Sequence, residues 1–225
     1  MLLLAADTSS RHGSIALAHC GPEAACAVIE VVPLDGGTFS ARLVPQVAAL
    51  LAKHGLNKRD IDGFAVVAGP GSFTGLRIGL AAIKALAEVL AKPISAVSLL
   101  EAIAVAGHSQ GKVIAVLDAG RGHVYAGEYE VKGGGAHLVG ERLLTRSELT
   151  QSALGSIIVT PDHSLADAVR NATLQVQVEE IGLPRSDAIA HLGWQKILAG
   201  ETVSPAGLEG NYIRRSSEIF AKGCS

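Results

Sequence analysis

The chain has 225 residues, of which 48% are hydrophobic and only 4% aromatic, and 19 Lys plus Arg against 21 Asp plus Glu leave a net charge of −2. That balance excludes the basic footprint of a protein that grips nucleic acid by itself. The longest apolar stretches are broken by Arg77, Lys84 and Glu88, which excludes a membrane span. The length admits one or two domains whose core must be built from Ala, Val, Leu and Ile.

Leu2-Leu3-Leu4-Ala5-Ala6 reads as a buried central strand, too short for a signal peptide and with no basic stretch before it. Asp7-Thr8-Ser9-Ser10 makes a polar turn, and strands over Ser14 to His19 and Ala24 to Leu34 complete an antiparallel meander around Gly21-Pro22. Cys20, Cys26 and Cys224 are odd in number and form no C-x-x-C, which suits reduced thiols in a cytoplasm better than a disulfide framework. Phe39 to His54 has helical spacing, with Leu43, Val47, Leu50 and Leu51 on one face and Gly55 as its C′ residue. A strand over Gly63 to Ala68 leads to a helix over Thr74 to Ala91, which Pro93 stops. A strand over Ile94 to Val97 follows, and Ser98 with Glu101 has the spacing of a capping box.

The pattern then restarts. Val113 to Leu117 ends in Asp118-Ala119-Gly120, and strands over Val124 to Val131 and Leu138 to Leu144 are joined by Gly133 to Gly135. Later elements are a strand at Ile157 to Thr160, a helix at Ser164 to Asn171, a strand at Val176 to Val178 and a helix at Asp187 to Ala199. The order strand, Asp turn, strand, strand, helix thus occurs twice, which predicts a duplicated α/β fold with a cleft between its halves.

In such a fold the turns at Asp7, Thr8 and Ser9 and at Asp118 would face each other, each offering a carboxylate for a metal and hydroxyls or N–H groups for phosphate. The plainer reading is that each Asp closes a strand end through its own backbone. The most distinctive stretch, Gly69-Pro70-Gly71-Ser72-Phe73-Thr74-Gly75-Leu76-Arg77, is neither a Walker loop nor a dinucleotide fingerprint. It reads equally as a tight structural loop and as an anion or partner site at a helix start. The helix after it is apolar around much of its girth, which suits either burial inside the domain or a subunit interface. Eight histidines form no metal-binding spacing, and no nucleophile elbow or catalytic cysteine signature occurs. Arg214-Arg215 is the one local basic pair and reads as solvated.

Three segments together resemble the TsaB (YeaZ) family: Leu4-Ala5-Ala6-Asp7-Thr8-Ser9, the stretch from Gly69 to Gly79, and Asp118-Ala119-Gly120-Arg121-Gly122-His123-Val124-Tyr125. Arg42-Leu43-Val44-Pro45 and Asn211-Tyr212-Ile213-Arg214 fit weaker family positions. The resemblance implies an actin/Hsp70-like, ribonuclease H-like (ASKHA) duplication. Residues 1–98, with 205–225 packing back on them, would form the first half, and 99–204 the second. It implies a non-catalytic scaffold and activator in making N6-threonylcarbamoyladenosine in tRNA, in the cytoplasm and with no membrane attachment. TsaD, the metal-bearing paralogue, would be its heterodimer partner, TsaE would join a ternary complex, TsaC would supply substrate, and tRNA would be met indirectly. Alone the chain would be a homodimer.

The implied partner interface comprises Leu43, Val47, Leu50, Pro70, Gly71, Phe73, Thr74, Arg77, Leu80 and Lys84. Asp7, Thr8, Ser9 and Asp118 would be a vestigial phosphate site. The paralogue holds its metal through paired histidines in the helix before the Gly-Pro-Gly loop. Here that helix starts with Phe39, Ser40 and Ala41 and has His54 only at its end, so neither a metal nor a resident cofactor is expected. The residual cofactor expectation is weak ATP or ADP with Mg2+ at a partner interface. Gly120 and His123 depart from the family's usual Arg and Glu. The rival function is a weak ATPase or a glycoprotease-like hydrolase using Asp7 and Asp118.

Overall fold

The protein is described by a computed structural model covering residues 1–22, 25–35, 37–173 and 175–213. Arg214-Arg215, Cys224 and the end of the 205–225 segment lie outside the described residues. Contacts divide the chain into two units, Met1–Leu99 with Pro184–Asn211, and Leu100–Leu183 with Tyr212 and Ile213 among the described residues.

Unit 1 is built on a five-stranded sheet of order β3-β2-β1-β4-β5. β1 (Leu2–Asp7) lies between antiparallel β2 (His12–Cys20) and parallel β4 (Gly63–Gly69), and all six of its residues are buried. That explains the unbroken apolar run: a strand covered on both faces has no solvent side to alternate with. β3 (Cys26–Asp35) and β5 (Ile94–Ser98) form the edges. The helices α1 (Phe39–Lys53) and α2 (Phe73–Leu90) pack on each other, and α2 also lies against β1 and β4.

Unit 2 repeats the plan as β10-β9-β6-β7-β8. Its strands are β6 (Gly111–Gly120), β7 (His123–Lys132), β8 (Gly135–Thr145), β9 (Ile157–Thr160) and β10 (Gln177–Glu180). In both sheets the first strand of the half is central, its meander partners lie to one side and the parallel strands to the other. This is the duplicated ribonuclease H-like, actin/Hsp70-like fold. α4 (Arg146–Ser152) and α5 (His163–Ala172) cover unit 2's core of Ile114, Val116, Val124, Leu149, Ile158 and Leu165. The helix α4 was absent from the sequence reading. Its signal is Thr145-x-x-Glu148, which forms a complete capping box, and Leu149, fully buried, anchors it with about 2 kcal/mol of burial.

The first division falls one residue from the expected cut at 98/99, whereas the chain returns to the first unit at Pro184, ahead of the expected cut at 204/205. The helix α3 (Leu99–Ala106) groups, from Leu100 on, with unit 2, where Leu100 sits against Gly127. The helix α6 (Ser186–Leu198) groups with unit 1. The physical reason is visible at Gly193: a Cβ there would run into Ala65 of β4, so only glycine lets the helix settle this close to the first sheet. Trp194, the chain's one tryptophan, donates its indole N–H to the Gly21 carbonyl at 2.8 Å, and Ser14 and Ser186 share a buried hydroxyl contact at 2.5 Å. Of the segment expected to pack back, Leu208 is buried and the Asn211 N–H donates to the Ala68 carbonyl at 2.7 Å.

The cysteine expectation needs correction. The β2–β3 register sets Cys20 opposite Cys26, with Cα atoms 4.1 Å apart, and the two form a disulfide. Pairing across a hairpin, invisible to spacing rules, brought them together. No described helix is long and apolar enough to cross a membrane.

Candidate functional site

The distinctive loop and the first polar turn meet in unit 1. At Gly69 the backbone takes φ +136°, the Gly69-Pro70 peptide is cis, and a Cβ on Gly69 would lie 2.6 Å from the Asn211 carbonyl oxygen. Ser72 caps α2 by accepting from the Gly75 N–H at 3.3 Å, and its own N–H donates to the Ser9 carbonyl at 2.6 Å. The Thr8 hydroxyl donates to the Gly75 carbonyl at 2.8 Å. Gly71, Gly75 and Gly79 all abut Thr8 and Ser9, and a Cβ on any of them would overlap those residues. The small residues of the motif therefore exist to let α2 lie directly on the β1–β2 turn.

Asp7 is only 1% exposed. One carboxyl oxygen accepts from the Ser9 N–H at 2.8 Å, while Oδ2 and the buried Ser9 Oγ have no hydrogen bond of acceptable geometry. Burial pushes the Asp7 carboxyl above its ordinary value; the Ser9 hydroxyl nearby and the Ser9 N–H oppose this more weakly. A carboxyl held toward its neutral form and shut from solvent is a poor ligand for a divalent ion. In unit 2, Asp118 accepts from the Gly120 N–H at 3.1 Å and has Arg146 at 3.8 Å. The plainer reading of both turns, an Asp closing its own strand end, is thus satisfied in each unit separately. Gly120, Arg121 and Gly122 all take positive φ, so the Asp118 turn is a tight left-handed loop.

Among the described residues no three His, Cys, Asp or Glu side chains gather as a metal site requires. His54, at the end of α1, bonds Glu30 at 2.8 Å instead, and with Lys53 it holds the Glu30 carboxyl below its ordinary value. The donors present do not fit the paralogue's metal.

The expected interface residues separate into two groups. Leu43, Val47, Leu50, Leu80 and Pro70 are buried inside unit 1 and cannot form a contact face; they hold the helices from beneath. Thr74 and Arg77 are exposed, while Gly71, Phe73 and Lys84 are half-buried, and the Arg77 guanidinium stacks 3.7 Å over the Phe73 ring. The residues that sequence reasoning passed over are the outward ones. On α1 these are Ala41, Val44 (53% exposed) and Ala48; on α2, Ala81, Ala85 and Val89 (75% exposed). The α1 set borders the buried stripe, and the α2 set lies across from it beside Arg77 and Glu88, so both helices also carry exposed apolar residues. Near the helix starts, a cavity of about 280 Å3 opens between the β1–β2 turn and the first turns of α1 and α2.

Residues 32–183 match a family model described as TsaD, tRNA N6-adenosine threonylcarbamoyltransferase. The chain is 39% identical over 135 residues to the tRNA threonylcarbamoyladenosine biosynthesis protein TsaB of Bacillus subtilis, covering 60% of this chain and 57% of that protein. It is 27% identical to the TsaB of Escherichia coli, covering 96% of both. Among solved structures it is similar to YeaZ from Pseudomonas aeruginosa, with TM-score 0.76, 27% identity, and coverage of 94% of this chain and 99% of that one.

Proposed function

Because the chain belongs to the TsaD family, as a TsaB (YeaZ)-type paralogue, and so to the biosynthesis of threonylcarbamoyladenosine in tRNA, we propose that it acts there as a non-catalytic scaffold. In this reading it docks a TsaD-type transferase through the outward faces of α1 and α2 and holds that partner in its active shape. TsaE joins the pair, TsaC supplies the activated threonylcarbamoyl group, and the chain meets tRNA only through its partner. Without TsaD the same face is covered by a second copy.

The observation that carries the reading is the outward apolar stripe on both helices, centred on Val44 and Val89. Exposed valines at helical spacing, flanked by the exposed Arg42 and Arg77, mark a docking face. The rival reading, a weak ATPase or glycoprotease-like hydrolase, needs Asp7 as an ionised, accessible carboxylate. Its burial and raised pKa speak against that.

The test combines the purified chain with the same organism's TsaD, TsaE and TsaC and measures threonylcarbamoyl transfer to tRNA. The native chain restores transfer that it lacks alone. Val44→Asp with Val89→Asp, both exposed and so within about 0.5 kcal/mol each of native stability, removes it. Transfer that proceeds equally without the chain, or with the double variant, ends the proposal.

A further inference from the structure

The cavity at the head of α1 and α2 is lined by Arg11, Phe39, Ser40, Ser72, Thr74 and Ile78 among others, and by no aspartate or glutamate. Arg11 makes no ion pair among the described residues, whereas nearby Arg42 is satisfied by Asp35 at 3.8 Å. The hydroxyls of Ser40 and Thr74 are likewise unbonded among the described residues. Neither helix, of 15 and 18 residues, has an acidic residue in its first turn, and the Thr38 hydroxyl turns back to the Asp35 carbonyl instead of capping α1. The positive field of both helix ends therefore adds to that of Arg11, while Asp35, the acidic residue before α1, is engaged by Arg42. Asp7, the carboxyl beneath the turn, is held toward its neutral form and does not cancel it.

Size narrows the class of ligand. Pockets that bury a drug-sized molecule run from roughly 300 to 1,000 Å3, so about 280 Å3 suits a small group such as one side chain. The Phe39 and Ile78 surfaces suit methylenes, and the hydroxyls and guanidinium suit a carboxylate. Ser40 and Thr74 also begin the outward stripes of α1 and α2, so a protein laid along those stripes covers the mouth.

We infer that this cavity receives an aspartate or glutamate side chain from the partner that docks on α1 and α2. The inference rests on the docking reading above. It makes Arg11 a specificity determinant of the interface, while the valines supply area.

The experiment measures the affinity of the full chain for the cognate TsaD-type partner by calorimetry at low and moderate salt. It compares native protein, Arg11→Glu, Arg11→Ala, Arg11→Lys and Val44→Asp, each checked for an unchanged thermal midpoint. Arg11→Glu is expected to weaken binding by on the order of tenfold or more, with Arg11→Lys close to native and a smaller salt dependence for Arg11→Ala. A Lys replacing the partner's acidic residue should restore binding to Arg11→Glu. If Val44→Asp abolishes binding while Arg11→Glu binds like the native chain, the inference falls and the docking reading stands. If both bind like the native chain, the docking reading falls too. Millimolar inorganic phosphate that stabilises the isolated chain, with partner affinity indifferent to Arg11, would make the cavity a small-anion site and overturn the inference.

Discussion

Replacing Gly75 by alanine tests how tightly α2 is pressed onto the β1–β2 turn. In an open helix position this change stabilises by about 1 kcal/mol, because glycine is the poorer helix former. Here the new methyl meets the Thr8 carbonyl oxygen, a backbone atom at the end of a fully buried strand that has nowhere to go. Forcing a methyl into packed structure costs about 1–3 kcal/mol, and the upper figure applies where the obstacle is backbone. Any retreat of Thr8 also stretches its hydroxyl bond to the Gly75 carbonyl, worth about 1 kcal/mol. The net expectation is a loss of about 3 kcal/mol after the helix gain is deducted, or a fall in Tm of roughly 6–12 °C for a chain of this size. Gly79→Ala is the internal control: its obstacle is the Thr8 hydroxyl, which can rotate, so the loss should be smaller. Urea and thermal unfolding followed by circular dichroism measure both. Gly75→Ala equal to or more stable than the native chain would refute the close approach, and with it the account of why the motif is rich in glycine.

Burial raises the Asp7 pKa above its ordinary 3.8, so as pH climbs past that value the unfolded chain gives up the proton first and the native state loses ground. Asp7→Asn, neutral throughout, should gain stability over the native chain at about pH 7 and converge with it near pH 3, read from urea midpoints; an asparagine variant less stable at neutral pH contradicts this. Thr145→Ala removes the cap in which Thr145 and Glu148 bond each other's backbone N–H, at 2.7 Å for the Thr145 N–H and 3.3 Å for the Glu148 N–H. It should cost about 1 kcal/mol, with hydrogen exchange accelerated in α4 first. Uniform acceleration across unit 2 would show that the cap supports more than its own helix.

The strand order was legible because its signals are local. A continuous apolar run says central strand, Asp followed by small polar residues says turn, and the repeat of both after Val113 says duplication. The seven-residue α4 is too short to display a period, so only its capping residues mark it. Which of the interface candidates are exposed was illegible for a different reason. α1 and α2 are apolar on two sides, and periodicity shows that Leu43, Val47 and Leu50 share a face without saying whether that face looks inward. Larger residues usually win the core, leaving Val44 and the alanines outside. The Cys20–Cys26 pairing follows from the hairpin around Gly21-Pro22 but not from cysteine spacing rules, while the allegiance of α6 depends on which sheet it neighbours, and no local pattern encodes that. Gly193 is intelligible as a contact point only once Ala65 is known to lie beneath it.

The allegiance of α6 also sets an order of events. A chain emerging from the ribosome presents β1 to β5 first, but the layer that finishes their sheet is not released until residues 184–211 follow. The strands and helices of unit 2 all lie between Leu100 and Leu183 and are released sooner, although Tyr212 and Ile213 also group with that unit. The sheet that begins the chain therefore receives its covering helix α6 only after every strand and helix of the second sheet has been made, which leaves its apolar face uncovered for longer during synthesis.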